Sequence, residues 1–230
     1  TWYTWLEQGR PINASTQVLE SVARTLRLDM AQTRHLFQLA EATPLRGSAA
    51  TETVPETVHA VLAALAPNPA VLVNGLLDVL AYNEGHNVLF SDWHTSRCVH
   101  QNLLWCCVTE PTARQKVVGY EDEVRHMVAR VRAEYGGHVG DPEWDEDIRR
   151  LLDVSDEFAD LWAKHEVAEP EVRHRVYRMQ PYGELRFAAS ELHVAACPGL
   201  RIQVQTPADD TTRAVLARLR RAGVGETVVA

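Results

Sequence analysis

The feature that most constrains this chain is a double change of hydrophobic period. Residues 69–83 read as two short apolar strands joined at Asn74-Gly75, a pair whose tolerance of positive φ favours a hairpin turn. From Glu84 to Glu169 the apolar residues recur instead at helical spacing. Val117, Tyr120, Val124, Val128, Val131 and Tyr135 fall on one side of a long predicted helix. Asp141-Pro142 then supplies an N-cap and a first-turn proline, with Trp144, Ile148, Leu151 and Leu152 continuing the stripe. Ser155 starts another helix, with Phe158, Leu161, Trp162 and His165 as its expected inner face. Beyond Pro170 the period returns to two over residues 172–179, 184–194 and 200–205, and residues 210–221 close the chain as a helix. A strand pair, a helical middle and three further strands predict an α+β domain: an antiparallel sheet with helices on one face.

Ahead of this domain the pattern is all-helical. Leu19, Val22, Ala23 and Leu26 follow the cap candidates Ser15 and Thr16. Asp29 and Gln32 then form a capping box before Leu36, Phe37 and Ala40. Residues 43–51 lack periodicity and carry Pro, Gly and small polar residues. A further helix is expected from Val58, Val61, Leu62 and Leu65, with Thr53 and Glu56 as its capping box. The predicted organisation is an all-α unit over 1–46, a linker over 47–54 and the α+β domain over 55–230. Charge divides along the same line. The first 46 residues hold five arginines against four acids, a balance of +1, so −9 of the net −8 falls on the remainder.

Several functional classes find no support in the residues. No apolar run reaches the ~18 residues of a membrane span, and the first residues lack a signal peptide's basic start and apolar centre, which predicts a cytoplasmic location with no membrane partner. Cys98, Cys106, Cys107 and Cys197 form no C-x-x-C pair and read as reduced thiols. His86, His94, Cys98, His100, Cys106 and Cys107 lie close together, but their gaps do not follow a zinc pattern. They read as surface histidines and buried thiols, with no metal expected. The sequence holds no G-x-S-x-G, no G-x-x-x-x-G-K and no G-x-G-x-x-G after a strand, and the run Glu121-Asp122-Glu123 reads as a solvated helix face. No catalytic residue is expected, and the chain reads as a non-enzyme. The aromatic residues Trp93, Trp105, Tyr120, Trp144, Phe158 and Trp162 suit a core packed between helices and sheet, the place where an apolar ligand cavity forms.

Two groups of motifs carry a family resemblance. Residues 2–10 (WYTWLEQGR) followed by residues 18–28 (VLESVARTLRL) resemble the second half of an XRE-type helix-turn-helix. Pro69-Ala70-Val71, residues 78–83 (DVLAYN), Asn102-Leu103-Leu104, Ser155 with Phe158, Leu161, Trp162, His165 and Val167, and Tyr182-Gly183-Glu184-Leu185 resemble the ligand-binding domain of MmyB-like regulators. The resemblance covers nearly the whole chain. It implies a PAS-like domain holding a fatty-acid-like ligand, in a regulator that is usually a homodimer and binds double-stranded DNA. The first motif would place Thr1, Trp2 and Thr4 toward base edges and Gln8 and Arg10 nearer the phosphates. In the second domain, strands from Val71 to Ala81 would form one wall of an elongated apolar pocket. Helix residues Trp105, Val124, Phe158 and Trp162 would form the other, with Arg125 and His165 as candidate partners for a carboxylate head. A second reading stays open at this level, in which the domain serves only for dimerisation and its aromatics are core.

Overall fold

The computed structural model describes residues 16–29, 32–33, 35–36, 54–95, 101–168, 171–195, 197, 199–221 and 228–229. The DNA-contact expectations at Thr1, Trp2, Thr4, Gln8 and Arg10, and the linker but for Val54, lie outside the described residues. At the N-terminal side, α1 (Thr16–Thr25) buries Leu19 and Ala23. The Asp29–Gln32 capping box forms as expected: the Gln32 amide donates to Asp29 Oδ1 at 2.8 Å and the Asp29 amide donates to Gln32 Oε1 at 3.0 Å.

The α+β domain begins with α2 (Glu56–Ala64). Pro55 is its N-cap, and Thr53 of the expected capping box lies outside the described residues. Val58 and Leu62 are buried, whereas Val61 is about half exposed. Next come β1 (Ala70–Val73) and β2 (Val79–Tyr82), antiparallel neighbours. Their connection is longer than a two-residue hairpin turn. Asn74 Oδ1 accepts from the amides of Leu76 and Asp78, and its Nδ2 donates to Asp78 Oδ2 at 2.7 Å. The left-handed residue is Leu77 (φ 68°), not Gly75. Gly75 is needed for another reason, since a Cβ there would lie 2.8 Å from the Trp144 ring.

The helical middle comprises α3 (Glu84–Thr95), α4 (Leu103–Thr109), α5 (Pro111–Lys116), α6 (Tyr120–Tyr135), α7 (Pro142–Val154) and α8 (Asp156–Trp162). The long helix expected from Val117 instead begins at Tyr120. Gly119 takes a left-handed φ of 76°, which breaks the helical run, and Val117–Val118 forms a two-residue strand, β3. Asp141 caps α7 and Ser155 caps α8, each accepting from a backbone amide of its helix's first turn. Beyond them lie β4 (Arg173–Met179), β5 (Gly183–His193), β6 (Arg201–Pro207), α9 (Asp210–Arg221) and β7 (Val228–Val229).

The strands form one antiparallel sheet in the order β3-β4-β5-β6-β1-β2-β7. Fold class and PAS-like sheet are as expected. The larger core lies on the face covered by α3 to α8, with Phe158, Phe187, Leu104, Val124 and Leu185 fully enclosed. On the opposite face α2 packs Val58 and Leu62 against Ala70, Leu72, Ala81, Ile202 and Val204. Among the described residues no helix is long and apolar enough to cross a membrane.

Asn83, 1% exposed, ties these parts together. Its Oδ1 accepts from the amides of Ala70 and His86, and its Nδ2 donates to the carbonyls of Leu62 and Asn68. One side chain thereby satisfies backbone groups of β1, α2 and α3. Replacing it with alanine strands several of them in the dry interior, where each costs about 1–3 kcal/mol. Asn83→Ala is expected to lower unfolding free energy by about 3 kcal/mol, read from the denaturant midpoint; a loss under about 1 kcal/mol would contradict this role.

Candidate functional site

Cross-strand register fixes which side chains share the concave face of the sheet. Arg173, Arg175 and Tyr177 of β4 stand opposite Ala189, Phe187 and Leu185 of β5. Ala189, Glu191 and His193 in turn stand opposite Gln205, Gln203 and Arg201 of β6, and the last two face Val71 and Val73 of β1. Directly opposed residues point the same way. The concave face therefore carries a belt of arginine, glutamate and glutamine between apolar flanks.

Helix α6 lies across this belt and answers it with Glu123, His126, Met127, Arg130 and Glu134. Glu123 is buried, not solvated as its acidic neighbours suggested. Its Oε1 accepts from Arg175 Nη2 at 2.7 Å, and its Oε2 lies 3.7 Å from Arg173 Nε. Arg130 Nη2 donates to Glu191 Oε2 at 2.9 Å, and Gln203 Nε2 donates to Glu191 Oε1 at 3.2 Å. Arg201, 3% exposed, donates to Glu134 at 2.9 Å and lies 3.8 Å from Glu191.

Between α6 and the sheet these side chains line a cleft that is partly open to solvent. One wall is apolar and aromatic: Val71, Leu77, Phe90, Trp93, Leu103 and Met127. Phe90 sits at a kink in α3, where its backbone leaves helical geometry (φ −126°, ψ 23°). Its ring is 4.8 Å from Trp93 and 5.2 Å, edge-on, from Tyr177. The other wall is the charged belt, with Glu123, His126, Arg130, Arg175, Glu191 and Arg201 beside Gln203 and Gln205. Each of its three arginines has a carboxylate partner: Arg130 has Glu191, Arg175 has Glu123, and Arg201 has Glu134, which is partly exposed. Its polar atoms are unevenly satisfied. The Nε–H donors of Arg175 and Arg201, and Gln205 Oε1, are buried without a hydrogen-bond partner among the described residues.

Residues 54–219 match the family described as the MmyB-like transcription regulator ligand binding domain. The chain belongs to this family. Comparison with curated proteins gives no match. The cavity thus lies in the MmyB-like domain, between the sheet and the helices where a ligand was expected, and Val71 and Leu77 of the expected strand wall line it, but the expected helix residues do not.

None of the six expected ligand residues lines this cavity. Val124 and Phe158 are fully enclosed in the core of the MmyB-like domain, and Phe158 stacks on Trp162 with ring centroids 5.4 Å apart. Trp162 carries the Arg132 guanidinium over its ring, and Trp105 packs half-buried against the same core. Arg125 sits on the outer side of α6, paired at 2.8 Å with exposed Asp122. His165 lies past the end of α8 in a left-handed turn (φ 55°) and is exposed, because the helix stops at Trp162. His86, expected at the surface, is 2% exposed and lines the cavity. Among the described residues no group of His, Cys, Asp or Glu is placed to hold a metal; Cys98 and His100 lie outside them.

Electrostatics follow from this burial. Burial, with Arg173, Arg175 and Arg130 around it, holds His126 down at about 3. Burial alone would lower the Arg175 guanidinium, but Glu123 beside it lifts it above the ordinary arginine value. Burial pushes the Cys107 thiol and the Tyr177 phenol each up to about 12. The His126 value sets a pH dependence. Unfolded, the imidazole binds its proton near 6.5, so between that value and about 3 the unfolded chain holds more protons than the folded one. Stability from this residue is therefore full above 6.5 and is lost as pH falls toward 3. His126→Gln is expected to make the denaturation midpoint less acid-sensitive over that window. Equal acid sensitivity of variant and wild type would contradict the assignment.

Proposed function

We propose that this chain is a DNA-binding transcription regulator whose MmyB-like domain senses an apolar, fatty-acid-like molecule in the cavity between α6 and the sheet. The supporting observation is the division of that cavity into an aromatic and aliphatic wall and a buried arginine-rich wall. An acyl chain laid on the first gains about 0.8 kcal/mol per buried CH₂. A carboxylate cannot be buried unpaired without a large cost, and guanidinium groups are its best-matched partners. Arg130, Arg175 and Arg201 take the role that Arg125 and His165 were expected to play.

DNA binding in this reading rests on the XRE-type motif of the first residues. Thr1, Trp2 and Thr4 serve base reading, while Gln8 and Arg10 serve phosphate contact. A homodimer suits the two-fold symmetry of operators read by helix-turn-helix proteins.

Two experiments test the proposal. Trp93 lines the cavity, so saturated fatty acids of graded length are expected to change tryptophan fluorescence and raise the melting temperature. Met127→Trp fills the cavity and is expected to bind the best acid roughly tenfold more weakly, about 1.4 kcal/mol, while still folding. Indifference of wild-type melting and fluorescence to every acid in the series would sink the sensor reading. For the DNA arm, Arg10→Ala is expected to weaken binding to many sequences alike and to reduce the salt slope by about one. A changed sequence preference at an unaltered slope would reassign Arg10 to base reading.

A further inference from the structure

Beside the main cavity, between α6 and strands β4 and β5, lies a second and more polar chamber. It shares His126, Arg130, Arg175, Glu191 and Gln203 with the main cavity and adds Arg173 and Glu171. Its donors outnumber its acceptors. Arg173 and Arg175 each bury an Nε–H with no hydrogen-bond acceptor among the described residues. Arg175 spends its terminal nitrogen on Glu123, Arg130 spends its own on Glu191, and Arg173 spends its own on Glu171 at 3.1 Å, which leaves the two Nε–H groups. The partner these two Nε–H groups lack is an acceptor, and an anionic acceptor makes the stronger, charge-assisted bonds to guanidinium.

His126 stands among these arginines with its side chain 13% exposed. Its Nδ1 is 3.9 Å from Glu171 Oε1, too far for a hydrogen bond, and Glu171 is itself 60% exposed. The charged groups around the imidazole are Glu123 and Arg130 from α6, Arg173 and Arg175 from β4, Glu171 just before β4, Glu191 from β5 and Arg201 from β6. Burial, and then the positive charge of Arg173, Arg175 and Arg130, disfavours the imidazolium and holds the ring down at about 3.

We propose that this chamber seats the anionic head of the ligand and that His126 takes up one proton from solvent when the head arrives. The inference rests on the sensor reading above and adds both a head-group site and a pH response. An anion in the chamber cancels the field of the arginines at close range and gives the imidazolium a counter-charge. No covalent bond forms or breaks. The imidazole gains a proton, and the site gains one negative and one positive charge together. Affinity for an anionic amphipath therefore rises as pH falls, by at most about tenfold per pH unit for a single linked proton.

Titration calorimetry on the full chain with 1-decanesulfonate, whose head stays ionised throughout, and with 1-decanol, which has a ten-carbon chain and no charge, tests this. The sulfonate is expected to bind at least about tenfold more tightly than the alcohol. Its affinity is expected to be roughly fivefold or more tighter near pH 5.5 than near pH 7.5. Its heat of binding should vary with the ionisation enthalpy of the buffer, reporting net proton uptake in the wild-type chain. His126→Gln should bind the sulfonate with an affinity that no longer depends on pH. Equal binding of alcohol and sulfonate overturns the head-group site. Buffer-independent heats, or an undiminished pH slope in a folded His126→Gln variant, overturn the proton step. Binding of neither compound at any pH removes the sensor reading and this inference together.

Discussion

The MmyB-like domain depends on three arginine–glutamate pairs that hold α6 over the concave face of the sheet: Glu123 with Arg175, Arg130 with Glu191, and Glu134 with Arg201. Taking such charges out of water costs several kcal/mol per ion, and apolar residues of similar size often do as well or better for stability. Their consequence here is positional. Long side chains that must meet end to end keep the helix backbone away from the strands. Leucine or valine at the same places would let the layers close to ordinary packing distance and fill the gap. The cavity is thus a product of its polar wall, which faces the apolar wall of Phe90, Trp93 and Leu103.

A second set of polar contacts fixes the strands that form the cavity's floor. Asn102 caps α4 by accepting from the Trp105 amide, and its Nδ2 donates to the Leu76 carbonyl and to Asp78 Oδ1. Asn74 and Asp78 are joined across the same loop. Leu77 and Leu103, which touch the cavity, are therefore held by a buried amide network, not by apolar packing alone. Asn83 does the same at the far end of β2. Buried amides with every hydrogen bond made define geometry strictly, because any slip leaves a donor or acceptor dry.

Much of this architecture was legible because periodicity is a local property. The strands after Pro170, the Asp141-Pro142 and Ser155 helix starts and the closing helix all fall where the apolar spacing put them. The candidate site was less legible, for a definite reason. Alternation shows which residues share a face, but not which face meets the ligand. In β6, Ile202 and Val204 are the apolar set and invite an inward reading, yet they pack against α2 on the back of the sheet. Arg201, Gln203 and Gln205 face the cavity. The polar residues spaced by two there, and Arg173-x-Arg175 in β4, were the available signal. Glu123 was hidden within an acidic run whose other members are solvent-facing. The α3 kink at Phe90 and the break at Gly119 depend on packing and on one backbone angle, neither of which leaves a periodic trace.

Helix α6 also joins the cavity to the N-terminal part of the chain. Its inward residues run from Glu123 to Glu134, and just beyond them Gly136 meets the imidazole of His35. Gly136 has helical angles that any residue could adopt (φ −55°, ψ −30°), so its lack of a side chain is not demanded by the backbone. It is demanded by the neighbour, because a Cβ at this point would collide with the His35 ring. The His35 ring lies against the last turn of the same helix, and burial lowers its affinity for a proton. Ten residues of α-helix, about 15 Å, separate Glu123 from Ala133. The element whose position is set by ion pairs to the sheet is therefore the one on which His35 rests, and a shift of α6 that lengthened those pairs would carry the His35 contact with it.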